Sequence, residues 1–170
     1  MTPEVQYMRR KYFEWILRDA ELYSHALTLT LKPYCRVISD IGSLRVALDE
    51  FEAQRTFRHF RKRLDAKLFG KAAQRFGKSA FYLPALEGQE NGKLLHYHCA
   101  FGNVRNTLTD KQLALAVKEA WGATQFGNQQ IKIVPIRDTG WADYISKEIR
   151  DANINAIDVC NIRFPHASLA

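Results

Sequence analysis

From His25 to Leu31 the chain alternates strictly, with Leu27, Leu29 and Leu31 on one side and Thr28 and Thr30 on the other. A period of two predicts a half-buried strand over 25–31, ended by Lys32-Pro33. Residues 4–20 carry Tyr12, Trp15, Ile16 and Leu17 on an apolar side and predict a helix. Residues 44–76 read as helical, in two pieces broken near Gly70. Residues 79–87 and 93–102 predict two strands around a Gly-Gln-Glu-Asn-Gly turn, where Asn91-Gly92 is a strong hairpin signal. An amphipathic helix over 110–121 and a strand over 130–136 follow. Residues 139–151 predict a last helix, with Trp141, Ile145 and Ile149 as its core stripe. This order predicts an α+β fold: a central antiparallel β-sheet with helices packed mainly on one face. No repeat or linker divides the chain, so it reads as a single domain over 1–170.

The composition agrees with this. The 170 residues are 46% hydrophobic and 25% charged, enough to bury one core and unlike a disordered chain. No apolar run approaches the roughly 18 residues of a membrane span, so no membrane partner is expected. The charged N-terminus lacks an apolar signal core, and Cys35, Cys99 and Cys160 form no metal-binding pair or disulfide framework. Both observations predict a cytoplasmic protein. Charge changes the picture more. Lys and Arg number 25 against 18 for Asp and Glu, a formal net charge of +7. Much of the excess sits in one stretch: Arg55, Arg58, Arg61, Lys62, Arg63, Lys67, Lys71, Arg75 and Lys78, with Asp65 as its only acid. Such a run is either a solvated helix face or a surface that follows phosphates. The scarcity of interleaved acids favours the second.

The strand over 93–102 carries the candidate chemistry. Alternation places Leu95, Tyr97, Cys99 and Phe101 on an apolar face, and His96 and His98 together on the other. Two imidazoles so placed can chelate one divalent ion. Glu87, at the end of the preceding strand, is the expected third ligand, with Glu90 the second choice and Cys99 on the wrong face. A carboxylate beside two imidazoles suits Mg²⁺ or Mn²⁺ better than a thiolate-type zinc site. The bland alternative is an exposed polar pair. On the last helix Tyr144 and Lys147 lie three apart and share a side. A tyrosine at the margin of a core stripe is ordinarily a packing residue.

Taken in order, Glu87, the Gly92 turn, His96-Tyr97-His98 and Tyr144-x-x-Lys147 resemble the HUH endonuclease superfamily, named for two histidines flanking a bulky residue. The likeness is to rolling-circle replication initiators of plasmids and phages, and it runs from about residue 25 to 150. The strand at 25–31 is similar to their first motif, a strand rich in Thr and apolar residues. Two-tyrosine members carry a second tyrosine four residues after the first; here Glu148 stands there, so the chain resembles a single-tyrosine initiator. Alternatives are a single-tyrosine transposase or a relaxase. Lys147 argues against the first, and the lack of a third metal histidine and of an N-terminal tyrosine against the second.

The resemblance implies a ferredoxin-like or RRM-like sheet and a metal-dependent transesterification on single-stranded DNA. Glu87, His96 and His98 would hold Mg²⁺ or Mn²⁺. Tyr144 would attack the scissile phosphate, leaving a 5′-phosphotyrosine and a free 3′-hydroxyl that primes a polymerase and can be rejoined. Lys147 would favour the phenolate or grip the phosphate, and Glu148 would activate a water at termination. The basic stretch 55–78 would bind single-stranded or hairpin origin DNA, and residues 103–109 would line its path. No GxxxxGK[ST] motif is present, so unwinding and synthesis would fall to a host helicase and polymerase. A monomer or weak dimer is expected. The rival of another class is a non-catalytic DNA-binding repressor, which accounts for the charge but not for the co-occurrence of these site residues.

Overall fold

Thr2 and Pro3 start the first helix, α1 (Pro3–Arg18): Pro3 occupies a first-turn position and the Thr2 hydroxyl accepts from the Val5 N–H at 3.4 Å. The computed structural model describes residues 2–40, 42–88, 94–104, 107–146 and 156–164; of Ser39, Tyr144 and Ser146 only the backbone is described. After a 3-10 turn the alternating segment forms β1 (Tyr23–Leu31), with Leu27, Leu29 and Leu31 buried.

The next segment departs from expectation. Residues 34–47 form a ribbon of β2 (Tyr34–Ser39) and β3 (Gly42–Ala47), so the predicted helix does not begin at 44. Two local interactions decide this. The Arg45 guanidinium lies diagonally across the ribbon over the Tyr34 ring, 3.7 Å from its centre, and joins the strands. The Asp49 side chain accepts from the Glu52 N–H at 2.7 Å and caps the helix there. Helix α2 therefore runs from Glu50 to Phe69, and Gly70 separates it from α3 (Lys71–Phe76), the break the sequence predicts.

Strands β4 (Phe81–Glu87) and β5 (His96–Gly102) follow, then α4 (Asp110–Gly122), β6 (Gly127–Pro135) and α5 (Gly140–Ser146). A capping box between Thr109 and Gln112 sets the start of α4. The four long strands form one antiparallel sheet in the order β4-β5-β1-β6. Residues 156–164 cover its β4 edge, with Leu86 N–H donating to Ala156 and Asp158 N–H donating to Pro84. Pro84 is tolerated in β4 because its missing N–H would face that edge, not the ladder to β5.

Sheet alternation divides the core in two. On one face Leu27, Leu29, Tyr97 and Phe101 meet Phe57, Phe60 and Leu64 of α2 and Leu113, Val117 and Trp121 of α4. On the other, Leu83, Ala85 and Ala100 meet Ile16 of α1, Ala142 and Ile145 of α5, and Ala156 and Ile157. The α+β class and the antiparallel sheet are as the sequence predicts. The longer helical layer, α2 to α4, lies on one face, and α1 and α5 clothe part of the other.

Two carboxyls, Asp158 buried and Asp65 half-buried, tie the layers. The Tyr97 hydroxyl donates to Asp158 at 3.0 Å, and the Tyr82 hydroxyl donates to Asp65 at 2.9 Å. Burial pushes both carboxyls above the ordinary range, outweighing these bonds. A raised native pKa means that Asp158 contributes most below its unfolded pKa, about 3.9, and that this contribution is lost as pH rises through the native value. Asp158→Asn removes that loss, so its stability relative to wild type should increase between pH 4 and 7 in denaturant titrations. A constant or decreasing difference would show that burial does not raise the Asp158 pKa.

Candidate metal centre

The hairpin register builds the centre. Glu87 ends β4 and His96 begins β5, and these two are paired; His98 pairs with Ala85. Glu87, His96 and His98 therefore project from one face of the sheet, two of them on alternate positions of β5. His98 Nε2 lies 2.8 Å from the Glu87 carboxylate and His96 Nε2 3.4 Å from the same oxygen. One ligand atom from each residue lies within 4.8 Å of the others, so the three could hold a metal ion. Cys99 is buried on the opposite face, as alternation predicts.

The surroundings support ligation. His96 Nδ1 lies 2.9 Å from the Leu94 carbonyl, which can only accept, so Nδ1 donates there and Nε2 is the ring nitrogen turned towards Glu87. His98 Nδ1 shares a 3.2 Å hydrogen bond with the Thr28 hydroxyl of β1. Thr28 is thus the outer partner of a ligand, a role the strand alternation alone did not assign. Gly88, with φ +110°, lets the chain leave β4: a Cβ there would meet the Leu94 carbonyl oxygen at 2.8 Å. Two imidazoles and a carboxylate suit a divalent ion of intermediate to hard character, and three protein ligands fill only half of an octahedral shell.

A cavity of about 310 Å³ lies beside the centre, between the sheet and α5. Thr28, His98, Lys132, Trp141 and Ile145 help to line it. Lys132 reaches it because β6 pairs Lys132 with Thr28, which in turn pairs with His98. The sequence reading missed Lys132; the alternation within β6, combined with knowledge of strand order, would have placed it. Helix α5 packs on this face through buried Ala142 and Ile145, and Trp141 stacks edge-on against Tyr23 at 5.4 Å.

Tyr144 belongs to α5, but its side chain lies outside what is described, and Lys147 and Glu148 lie outside the described residues, as do Ile149, Glu90 and the Asn91-Gly92 turn. Arg105 and Asn106, in the segment expected to line a DNA path, do too. The basic stretch is not brought to the metal centre: α2 packs on the opposite face of the sheet. Within it Arg55 pairs with Glu52 at 3.2 Å, Lys67 pairs with Glu119 at 2.7 Å, and Arg61 is buried. Arg58, Lys62, Arg63, Lys71, Arg75 and Lys78 are exposed. Among the described residues no helix is long and apolar enough to cross a membrane. No protein-family model, curated protein or solved structure matches the chain significantly.

Titration calorimetry with Mn²⁺ checks the centre. His98→Ala should abolish measurable binding, and Thr28→Val should weaken it by about 10-fold through the lost outer hydrogen bond. Affinity should also fall on acidification, because protons compete with the metal for the ligating nitrogens. Unchanged Mn²⁺ affinity in His98→Ala would remove the centre.

Proposed function

We propose that the protein is a single-tyrosine nickase of single-stranded DNA, acting as a rolling-circle replication initiator. The observation that carries this reading is the Glu87-His96-His98 cluster on the same sheet face as α5, the helix that contains Tyr144, with a cavity between sheet and helix. A metal-binding trio, a phenol-bearing helix and a positively charged chain together match the needs of phosphoryl transfer better than those of passive binding.

A bound Mg²⁺ or Mn²⁺ would act as a Lewis acid, neutralising charge on a non-bridging phosphate oxygen. The chain's own residues do the rest. The Tyr144 phenol, with an ordinary pKa of about 10, gives up its proton and its oxygen attacks phosphorus in line. The bond from phosphorus to the 3′ oxygen breaks, that oxygen takes a proton, and the strand is left with a free 3′-hydroxyl. The 5′ phosphate stays on Tyr144 as a diester, so attack by a 3′-hydroxyl reverses the step and rejoins ends. Lys132, in the cavity beside His98, adds positive charge where the phosphate would sit. Lys147 favours the phenolate or grips the phosphate, and Glu148 activates water for release. The exposed cations of α2 and α3, on the far face, hold flanking or hairpin origin DNA and do not feed the strand into the centre. Host helicase and polymerase, in the cytoplasm, would supply unwinding and synthesis.

The test mixes the protein with end-labelled single-stranded oligonucleotides of randomised sequence and Mn²⁺. A DNA-linked species that survives SDS should form with wild type, vanish in Tyr144→Phe and fall about 10-fold in Lys132→Gln. An adduct undiminished in Tyr144→Phe would contradict the reading, and retained DNA binding without any adduct would favour a non-catalytic DNA-binding protein.

A further inference from the structure

The helix α2 presents Phe57, Phe60 and Leu64 to the sheet, and Arg61 enters the rim of that interface. Arg61 is 6% exposed, and its Nε is buried with no hydrogen-bond partner among the described residues. Asp65, one turn along the helix, is engaged elsewhere: its Oδ1 accepts from the Ala80 N–H and from the Tyr82 hydroxyl, each at 2.9 Å. No ion pair within 4.0 Å joins Asp65 to Arg61. A buried cation without a close counter-charge is costly, and its neighbourhood adds another cation. Burial holds the Arg61 guanidinium below its ordinary pKa and Arg163 pushes it the same way, outweighing the opposing pull of Asp65 from beyond ion-pair distance.

Arg61 opens onto a cavity of about 340 Å³, also lined by Lys62, Lys78 and Arg163 and by one carboxyl, Asp65, whose Oδ1 is already taken by Ala80 and Tyr82. An adjoining cavity of about 390 Å³ shares Lys78 and Arg163 and adds Phe76, Phe81 and Phe164. Phe76 is 82% exposed, an unusual position for a large aromatic ring. Cations and aromatic rings lining adjoining cavities are the two halves of nucleotide recognition: charge for the phosphate and flat apolar surface for the base.

We propose that this double cavity binds a nucleotide, with Arg61, Lys62, Lys78 and Arg163 around the phosphate and Phe76, Phe81 and Phe164 beside the base. The nucleotide is either a free nucleoside monophosphate or one unit of a single strand. The site is separate from the metal centre. It adjoins the start of β4 at Phe81, and Glu87 ends the same strand, roughly 20 Å away at about 3.3 Å per residue. It stands whether or not the metal centre cuts DNA.

Calorimetry in EDTA, with the full chain and 5′-dTMP, inorganic phosphate, thymidine and (dT)10 as probes, tests it. Wild type should bind dTMP, bind inorganic phosphate more weakly and ignore thymidine. Arg61→Met should weaken dTMP binding at least about 10-fold, while its melting temperature without ligand equals or exceeds that of wild type, because an apolar chain replaces an unpaired buried charge. Lys78→Ala, at the exposed rim, should weaken binding by about threefold and guards against misfolding of the first variant. The double variant His96→Ala/His98→Ala should keep dTMP affinity, which separates failure of this site from failure of the metal centre. Tighter binding of (dT)10 than dTMP assigns the site to a strand, and equal affinity assigns it to a free nucleotide. Affinity for dTMP within about twofold of wild type in both Arg61→Met and Lys78→Ala, or no binding by wild type, overturns the proposal.

Discussion

Everything at the metal centre depends on the register of β5 between β4 and β1. Tyr97, Cys99 and Phe101 are locked into the α2 layer, where Phe57 stacks against Tyr97 at 4.7 Å and the Tyr97 hydroxyl donates to Asp158. With alternate residues on opposite faces, that anchoring leaves His96 and His98 no choice but the other face. The β4 register then sets Glu87 across from His96, and the β1 register sets Thr28 across from His98. A slip of one residue would bury the imidazoles under α2 and expose the aromatic anchors, so the packing of one face enforces the chemistry of the other.

The two faces also carry different electrostatic tasks. The face with the cluster has few cations near it, Lys132 being the one that lines the adjoining cavity among the described residues. The opposite layer holds most of the basic stretch, partly neutralised by Glu52 and Glu119 and partly free on the surface. Charge attraction reaches about 10 Å at moderate salt, so under the proposed function a basic layer behind the sheet would raise local DNA concentration without touching the reacting phosphate.

Much of this was legible in the sequence because it depends on short periods. The Leu/Thr alternation of 25–31, the His-x-His strand and the glycine after α2 each encode local geometry, and the Glu87-His96-His98 trio follows from one hairpin. The β2–β3 ribbon was not legible in this way. Its six-residue strands hold Arg36, Arg45 and Ser43 among apolar residues, which blurs a period of two, and its pairing rests on a cation over a ring. The burial of Arg61 is obscured as well: in sequence it is one cation in a basic run, although its spacing of four from Phe57 and three from Leu64 sets it on the buried stripe, unlike Lys62 and Arg63. Lys132 escaped because its importance depends on strand order, which puts β6 beside β1 although about a hundred residues separate them.

The account rests on three side chains from one hairpin gripping a single ion. Anomalous diffraction from crystals grown with Mn²⁺ examines that directly. The account requires a peak bonded to His96 Nε2, His98 Nε2 and a Glu87 carboxylate oxygen, at about 2.0–2.3 Å from each. A fully loaded crystal whose manganese lies elsewhere, with the two imidazoles and the carboxylate bonded only to one another, would contradict it.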